Sequence, residues 1–406
     1  MRHPQTHLSA GVPFSQVVQF IRHSLQTPGK KTMKPKNITI FYLSFGSGHQ
    51  VAAESLAAAL RREAPSLRLH VVDPFANNIE LLPKVIDSLQ ALSITLIPGL
   101  YDTLWRKGTP GSLYESITEL SFLQDLLIDK IRENDARIIV ATHVMATAMS
   151  LSIKAEYPIE KVFGVVTDFG LNSYWPLEGV DAYFVAHREL KNTFAYRGCQ
   201  PEKIYPTGIP IRLPFENICR PINTNPGSPL HILLITGGVR SGAYVDVKNR
   251  LFSLLETLNT FDSSMLHLTI VTGNQEKIYQ SIREKQNQYA YKIDTRGFVD
   301  DMSALISSHD LVISKPGGLI VSECMACGTP MILFQAGPGQ EQANVEFLAR
   351  HGAALQGTPP DMLRKSIETL INHPERLAAM SQRALALGKP FAARMIAKHI
   401  LRLSHT

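Results

Sequence analysis

Short apolar, β-rich segments occur in two successive series along the chain, and most are followed by a stretch of helix length. The first series opens with Ile38–Ser44, which leads into a glycine-rich turn and then into the Ala- and Leu-rich stretch Val51–Arg62. Residues 220–229 (RPINTNPGSP) have the composition of a linker, and the second series begins at His231–Thr236. Buried strands that alternate with helices predict parallel sheets covered on both faces. The sequence therefore predicts an α/β protein with two doubly wound, Rossmann-like halves.

Each series contains further short apolar segments that we predict as strands. In the first series they are Leu67–Val72, Arg137–Ala141, Lys161–Thr167, Ala182–Ala186 and Lys203–Thr207. In the second they are Leu266–Thr272, Ile293–Arg296, Leu311–Ser314 and Pro330–Phe334, and the helix Asp246–Leu258 follows the first strand. Two such halves place a ligand in the cleft between them, at the carboxyl ends of the strands.

These patterns set the predicted domain boundaries. They are an N-terminal extension at 1–36, a first domain at 37–219, the linker at 220–229, a second domain at 230–385 and a C-terminal helix at 386–406. Met33 stands just before the first strand, so translation could start at Met1 or at Met33.

Positive charge is concentrated at the N-terminus. The chain has 41 basic and 35 acidic residues, a net charge of +6. Residues 1–53 hold six basic residues and no acidic one, so the other 35 basic residues balance the 35 acidic ones. This distribution argues against a nucleic-acid-binding face across the fold. The basic segment is either a surface for anionic lipid headgroups or a solvated tail.

Hydrophobic residues make up 44% of the chain, which is typical of a folded protein. No segment reaches the roughly 20 apolar residues that span a bilayer, and the N-terminus lacks a signal-peptide pattern. We therefore expect a cytoplasmic protein that is peripherally attached to the membrane.

Residues 76–130 interrupt the alternation of strands and helices. They are rich in Leu and Ile, and Pro and Gly break the segment at 98–99 and 108–111. A long apolar insertion near the cleft suits contact with acyl chains or with a membrane surface. The alternative interpretation is a pair of ordinary amphipathic helices packed on the first domain.

A first glycine-rich turn, Phe45-Gly46-Ser47-Gly48-His49, connects the first strand to the first helix. Its glycines permit a sharp turn, and the helix that follows presents unpaired backbone N–H groups toward the cleft. An imidazole at this position can take a proton from an acceptor hydroxyl at neutral pH. His49 is therefore our candidate catalytic base; the alternative is a capping or core histidine.

The second half carries the equivalent turn and a longer motif. Gly237, Gly238 and Arg240 lie in a turn that can bind anionic oxygens. The motif continues at Ser314, Lys315, Pro316, Gly317 and Gly318, then at Glu323, and then at Gln340 and Glu341. A helix that starts near Gly318 can hold a diphosphate at its N-terminus, and Glu323 can accept both hydroxyls of a ribose. Gln340 and Glu341 can bind sugar hydroxyls.

A divalent-metal site for the diphosphate is not indicated, because the chain contains no D-x-D sequence. The four cysteines include one C-x-x-C pair, Cys324 and Cys327, but no second pair completes a zinc site. We therefore expect no metal and no cofactor, with a metal or redox role of the pair as the alternative.

Together, GSGH at 46–49, TGIPI at 207–211, KPGGLIVSE at 315–323 and PGQEQAN at 338–344 resemble one known family. It comprises the monogalactosyldiacylglycerol synthases and diacylglycerol glucosyltransferases, which have the GT-B fold and are related to the transferase that makes peptidoglycan lipid II. The resemblance extends from about residue 37 to 385. It implies an enzyme that transfers a hexose from UDP-galactose or UDP-glucose to diacylglycerol, with an acceptor-binding first domain and a donor-binding second domain.

The resemblance also assigns roles to residues. It matches His49 to the family's proposed base, Glu323 to the ribose ligand, Ser314 to Gly318 to the diphosphate loop, Gln340 and Glu341 to the sugar-binding pair, and the backbone around Phe298 to the uracil site. The segment Val166–Phe169 matches a further family motif, in which Asn172 stands where histidine is usual. Asp168 in that segment is a second catalytic candidate, which could orient His49 or contact the acceptor; the alternative is a helix N-cap.

Three other functions stay open on the sequence alone. They are transfer to a different lipid-linked acceptor, a UDP-sugar 2-epimerase activity, and a non-catalytic UDP-sugar sensor that acts on partner proteins. The insertion and the GSGH turn argue against the epimerase, and the presence of His49 argues against the sensor. The sequence does not separate galactose from glucose.

Overall fold

The computed structural model describes residues 37–44, 47–76, 121–218, 228–237 and 244–405, and only the backbone of residues 244–246. Several sequence predictions lie outside the described residues. They concern the extension 1–36, most of the insertion 76–130, most of the linker 220–229, and the turn residues Gly46, Gly238 and Arg240. Both sheets described below belong to one compact unit, Lys36–Thr406.

The N-terminal sheet has six parallel strands within the described residues. They are β1 (Asn37–Phe41), β2 (Arg68–Val72), β3 (Ile138–Ala141), β4 (Lys161–Val165), β5 (Ala182–Phe184) and β6 (Ile204–Tyr205). The helices of this half are α1 (Ser47–Glu63), α2 (Ser121–Glu133), α3 (Val144–Ser152) and α4 (Arg188–Tyr196), with 3₁₀ turns at Pro201–Lys203 and Leu213–Asn217. The strand order is β2-β1-β3-β4-β5-β6.

The C-terminal sheet repeats this arrangement with six parallel strands in the described part. They are β7 (Leu230–Ile235), β8 (Leu266–Val271), β9 (Ile293–Arg296), β10 (Leu311–Ser314), β11 (Met331–Leu333) and β12 (Ala354–Gln356). Its order is β12-β11-β10-β7-β8-β9. The helices that follow the linker are α5 (Tyr244–Leu258), α6 (Glu276–Lys285), α7 (Met302–Ser307), α8 (Gly318–Cys327), α9 (Gln340–Arg350), α10 (Pro360–Asn372), α11 (Pro374–Leu387) and α12 (Ala392–Leu403). A 3₁₀ turn lies at Gln286–Gln288.

The predicted fold class is confirmed: the chain has two doubly wound parallel sheets. Because side chains alternate across a strand, Ile138 and Val140 pack beneath α1, whereas Ile139 and Ala141 pack against α2 and α3. Several strands end two or three residues earlier than predicted. The residues beyond β4, such as Val166 and Thr167, are buried in a loop, so burial without sheet pairing explains the difference. The short strand β12 was not predicted.

The last helix returns to the first half of the chain. Ile396 and Ile400 of α12 are fully buried in the core cluster that α1 forms with the N-terminal sheet. Arg394 of α12 contacts Glu63 at the end of α1 and Glu216, both at 3.2 Å. The C-terminal helix therefore covers one face of the N-terminal sheet.

Each sheet has one point at which the strand order reverses direction. In the N-terminal sheet it lies between β1 and β3, and in the C-terminal sheet between β7 and β10. Loops that leave neighbouring strands at such a point run to opposite faces of the sheet and open a crevice. The glycine-rich turn after β1 and the loop after β10 both begin at these points, and a ligand cleft is expected there.

Candidate active site

His49 lies in the first turn of α1, at the reversal point of the N-terminal sheet. Its Nδ1 is 2.8 Å from the carbonyl oxygen of Thr142, which follows β3, and 3.1 Å from the hydroxyl oxygen of Thr167, which follows β4. A carbonyl oxygen only accepts hydrogen bonds, so Nδ1 carries the proton in the neutral ring. The Nε2 atom then holds the basic lone pair.

The position of α1 is fixed by the same threonine. The Thr142 hydroxyl donates to the carbonyl oxygen of His49 at 3.1 Å, so the ring and the backbone of His49 are both held by one residue. His143 lies edge-on to the His49 ring, with 4.8 Å between the ring centroids. The His143 Nδ1 accepts from the backbone N–H of Met145 and caps α3.

Residues Thr167–Phe169, which we call the bridge segment, follow β4 and contact elements of both halves. Its Thr167 hydroxyl contacts His49, and the Thr167 carbonyl oxygen lies directly against Gly318, the first residue of α8. Any Cβ at position 318 would collide with that carbonyl group, so the close approach requires glycine there. The candidate base and the N-terminus of α8 are thus separated by a single residue, Thr167.

Both backbone polar groups of Phe169 are used in the same region. Its N–H donates to Asn344 Oδ1 at 2.7 Å, and its carbonyl accepts from His187 Nε2 at 2.9 Å. His187 Nδ1 accepts from Leu190 N–H as the N-cap of α4, and burial lowers the pKa of His187. The Phe169 ring stacks on Phe347 of α9. These contacts fix the bridge segment between the two halves.

Asp168 lies at the centre of the bridge segment. Asn344 Nδ2 donates to its Oδ1 at 3.2 Å. Burial raises the pKa of Asp168 to about 6, the nearby charge of Glu341 acts in the same direction, and the hydrogen bond from Asn344 opposes them. Residues 169–187 contain no helix, so the alternative of Asp168 as a helix N-cap is wrong.

The loop after β10 places the N-terminus of α8 at the reversal point of the C-terminal sheet. Gly317 is the N-cap of α8, and it follows the other loop residues of the predicted diphosphate site, Ser314, Lys315 and Pro316. The backbone N–H groups of a first helical turn and the helix dipole together favour an anion. Lys315 Nζ adds positive charge there and lies 3.3 Å from Glu341 Oε1.

Glu323 is 2% exposed on α8 and forms an ion pair with Arg212, with 2.6 Å between Oε1 and the guanidinium. Burial raises the pKa of Glu323 to about 7, although the charge and hydrogen bond of Arg212 favour the ionised form. Arg212 follows the TGIPI motif of the N-terminal half. One carboxylate oxygen of Glu323, the residue predicted to bind the ribose, is therefore held by a residue from the other half of the chain.

The predicted sugar-binding residues, Gln340 and Glu341, are the first two residues of α9. Glu341 accepts from the backbone N–H of Gly337 and from Lys315, and Gln340 is half-buried as the first residue of the helix. The Glu341 carboxylate thus ties the loop before α9 to the loop before α8.

The remaining predicted site residues lie at the edges of the crevice. Gly237 has a φ of +74° at the end of β7, and its carbonyl accepts from the Gln275 side chain. Phe298 follows β9 and is 63% exposed. An added Cβ at Gly48 would meet no atom within 4 Å, so that part of α1 faces open space. Groups of three or more His, Cys, Asp or Glu residues that could hold a metal are not found among the described residues.

Asn172, the departure from the family pattern, has a local structural contact. Its Oδ1 accepts from the backbone N–H of Tyr174 at 2.9 Å, and its carbonyl oxygen accepts from that of Trp175 at 3.3 Å. Its side chain therefore stabilises the turn that positions Trp175, which is buried against Tyr183.

Sequence reasoning missed four residues of the site, and one of them, Thr167, lies in the matched segment Val166–Phe169. Asn344 ends the quoted PGQEQAN motif, and Arg212 directly follows TGIPI, so both had a signal in the motifs. Thr142 contributes a backbone carbonyl, which any residue supplies, and only the fold identifies it.

Comparison with known proteins agrees with this architecture. The monogalactosyldiacylglycerol (MGDG) synthase family model matches residues 49–211, and the glycosyltransferase family 28 C-terminal domain model matches residues 232–400. A processive diacylglycerol β-glucosyltransferase of Bacillus pumilus is 26% identical over 91% of this chain and 95% of its own length. An uncharacterised glycosyltransferase of Bacillus subtilis is 27% identical over 77% of this chain and 82% of its own.

Solved structures show the same fold. The MurG protein of Acinetobacter baumannii matches with a TM-score of 0.60 and 17% identity, over 91% of this chain and all of the other. The UDP-GlcNAc 2-epimerase of Neisseria meningitidis, solved with UDP-GlcNAc bound, matches with a TM-score of 0.54 and 16% identity, over 90% of this chain and 99% of the other.

The two doubly wound sheets and the match to the glycosyltransferase family 28 domain identify the chain as a glycosyltransferase with the GT-B fold. Within that class, the chain resembles the MGDG synthases over residues 49–211 and the C-terminal domain of glycosyltransferase family 28 over residues 232–400. None of the described helices is both long and apolar enough to cross a membrane.

Proposed function

We propose that the protein is an inverting transferase that moves a hexose, galactose or glucose, from a UDP-sugar to the free hydroxyl of diacylglycerol. The observation that carries this proposal is the contact at Thr167, which brings His49 and the N-terminus of α8 to the same point. A base on one side and an anion-binding helix end on the other are the two parts that a displacement at a sugar carbon needs.

In the proposed reaction, the acceptor hydroxyl gives its proton to His49 Nε2 as its oxygen attacks the anomeric carbon. The bond from that carbon to the diphosphate oxygen breaks, and UDP leaves from the opposite face of the sugar, so the configuration is inverted. Thr142 and Thr167 support the base, because an Nδ1–H that donates to them stabilises the imidazolium that forms.

The leaving diphosphate would be bound by the loop Ser314–Gly318. Negative charge that develops on the leaving oxygen is stabilised by the dipole and N–H groups of α8, with Lys315 near them. This helix end supplies positive potential without a metal ion, and we propose that the enzyme uses no cofactor.

The rest of the donor would be bound by residues that surround the same crevice. We propose that Glu323 accepts the ribose hydroxyls, Gln340 and Glu341 bind the sugar, and the backbone around Phe298 binds the uracil. Gly237, Gly238 and Arg240 would contact the phosphates from the other loop at the reversal point. The solved UDP-GlcNAc complex of a protein with the same fold supports a uridine nucleotide as the ligand of this architecture.

The acceptor would bind on the side of the N-terminal sheet. The names of the Bacillus relatives identify diacylglycerol as their acceptor, which supports the same lipid here. We propose that the enzyme works at a membrane surface as a peripheral protein. The basic residues of the N-terminus and the part of the insertion 76–130 that precedes α2 would provide the contact with anionic lipid. Residues 121–130 do not take part, because they begin α2, whose Leu123 and Leu127 are buried against the N-terminal sheet.

The test is an assay with radiolabelled UDP-galactose or UDP-glucose and vesicles that contain diacylglycerol and anionic lipid, followed by lipid extraction. We expect a labelled glycolipid with one of the two donors. The His49→Ala variant should lose transfer and keep nearly unchanged UDP binding, because the imidazole acts on the acceptor and not on the nucleotide. Full activity in that variant would reject the base, and absence of labelled lipid with both donors would reject the function.

A further inference from the structure

The Asn344 side chain, fully buried on α9, makes three hydrogen bonds to two different loops. Its Oδ1 accepts from the N–H of Phe169 at 2.7 Å. Its Nδ2 donates to Asp168 Oδ1 at 3.2 Å and to the carbonyl oxygen of Pro316 at 2.8 Å. An amide has two N–H donors and one carbonyl acceptor, so its hydrogen-bonding capacity is used on both sides.

The two loops held by Asn344 serve opposite partners of the proposed reaction. Phe169 and Asp168 belong to the bridge segment, whose Thr167 hydroxyl contacts the Nδ1 of His49. Pro316 belongs to the loop that leads into α8, the proposed diphosphate site. Asn344 therefore connects the support of the base to the binding site of the leaving group.

Neither aspartate nor alanine can reproduce this pattern at the same position. Aspartate has the same shape but offers no hydrogen-bond donor when ionised, and it would place a second negative charge beside Asp168. Alanine would leave the Phe169 N–H and the Pro316 carbonyl without their partner in a buried place. One side chain therefore bonds to both loops, in addition to the direct contact between the Thr167 carbonyl and Gly318.

We propose that Asn344 is a positioning residue that holds the bridge segment, which contacts His49, at a fixed position relative to the proposed diphosphate loop. This inference rests on the proposed function of the site. Asn344 bonds to the Asp168 carboxyl and to two backbone groups, and it acts on turnover by holding the attacking and leaving sides in line. Its loss should therefore lower kcat far more than it weakens donor binding.

The experiment compares Asn344→Ala and Asn344→Asp with the wild type and with Glu346→Ala, an exposed change on the same helix. Hydrogen exchange of peptides that cover 165–172 reports directly on the N–H of Phe169. We expect faster exchange in Asn344→Ala, which has no acceptor for this N–H, and no change in Glu346→Ala; Asn344→Asp keeps the acceptor and loses only the two donor bonds to Asp168 and Pro316. With UDP-hexose and diacylglycerol, kcat should fall by about 100-fold, while KM for the donor changes little.

Circular dichroism and thermal unfolding identify variants that fail to fold, and the Asp variant, which keeps the side-chain volume, serves where Ala does not fold. Wild-type kcat in a folded Asn344 variant overturns the proposal, as does a loss confined to KM. If the wild type itself transfers no hexose, the proposed function fails instead. In that case faster exchange at Phe169 in Asn344→Ala still supports the contact, and unchanged exchange in that variant rejects it.

Discussion

At the scale of single residues, the site depends on side chains and carbonyl groups that orient other residues. Thr142 and Thr167 fix the tautomer of His49, and Arg212 holds one oxygen of Glu323. In each pair the sequence motif contains the functional group, and its partner comes from a distant part of the chain. Substitution of the partner should therefore change the chemistry of the functional group without removing it.

The ion pair of Arg212 and Glu323 predicts a pH dependence of donor binding. Burial raises the pKa of Glu323 to about 7, so the carboxylate gains a proton as the pH falls through that value. A protonated carboxyl accepts ribose hydroxyls less well, so KM for UDP-hexose should rise as the pH falls from 8 to 6. Arg212→Met removes the charge that favours the ionised form, so the same rise should begin about one pH unit higher.

Steady-state kinetics of the wild type, Arg212→Met and Glu323→Gln from about pH 6 to about pH 9.5 check the prediction. Glu323→Gln has no carboxyl group at this position and should show a weaker pH dependence of KM, caused only by other groups such as Asp168. Coincident midpoints in the wild type and Arg212→Met would contradict the role of the ion pair.

At the scale of elements, the decisive contact is the one between α8 and the bridge segment. The helix can approach this closely because residue 318 has no side chain. A longer distance would move the N-terminal N–H groups of α8 away from the base. The glycines of the KPGG sequence thus act through helix placement as well as through the turn itself.

Gly318→Ala should separate α8 from the bridge segment. The added Cβ collides with the carbonyl group of Thr167, and we expect a loss of unfolding free energy of about 1–3 kcal/mol together with lower turnover. Gly317→Ala is the control for stability, because its Cβ would meet only the Ile320 side chain at 3.8 Å. Urea unfolding of both variants measures the difference, and equal stabilities would argue against the close contact.

The packing of the C-terminal helix α12 gives a second prediction, which concerns the stability of the fold. Ile396 is fully buried against the N-terminal sheet, so Ile396→Ala should destabilise the protein by about 2–5 kcal/mol through the cavity that it leaves. Met395 is 38% exposed on the same helix, and Met395→Ala should stay within about 0.5 kcal/mol of the wild type. Urea unfolding again provides the measurement; similar losses for both variants would contradict the packing of α12.

At the scale of the whole molecule, two similar sheets contribute different chemistry. The reversal point of the N-terminal sheet carries His49, and that of the C-terminal sheet carries the start of α8. A core cluster that contains Val166 and Phe169 from one half and Val312 and Phe347 from the other passes between them. Apolar packing and the hydrogen bonds of Asn344 therefore hold one mutual arrangement of the two reversal points.

This arrangement predicts a reaction that does not depend on a divalent ion. The dipole and N–H groups of α8 face the proposed diphosphate position, so the leaving charge has a partner within the protein. We expect transfer rates with excess EDTA to equal those with added Mg²⁺ or Mn²⁺. A loss of activity with EDTA that added metal restores would show that the helix end is insufficient.

The sequence by itself determined the class of fold and most of the motif residues. The alternation of buried strands and helices predicts two doubly wound sheets, because parallel strands need crossover helices between them. The glycine-rich segments that follow two of the strands mark the turns at which a ligand is expected. These features are local, so spacing and composition reveal them. The extra strand β12 was missed because three residues carry too little pattern.

Only the tertiary structure decided how the motifs act on one another. Thr142 and Arg212 contact residues that lie 93 and 111 positions away in the chain, and Asn344 joins loops 28 and 176 positions away. No local pattern encodes such contacts, because they depend on where each crossover returns the chain. The sequence thus supplied a candidate base and a candidate anion-binding helix, and the packing of the two halves put them on opposite sides of Thr167.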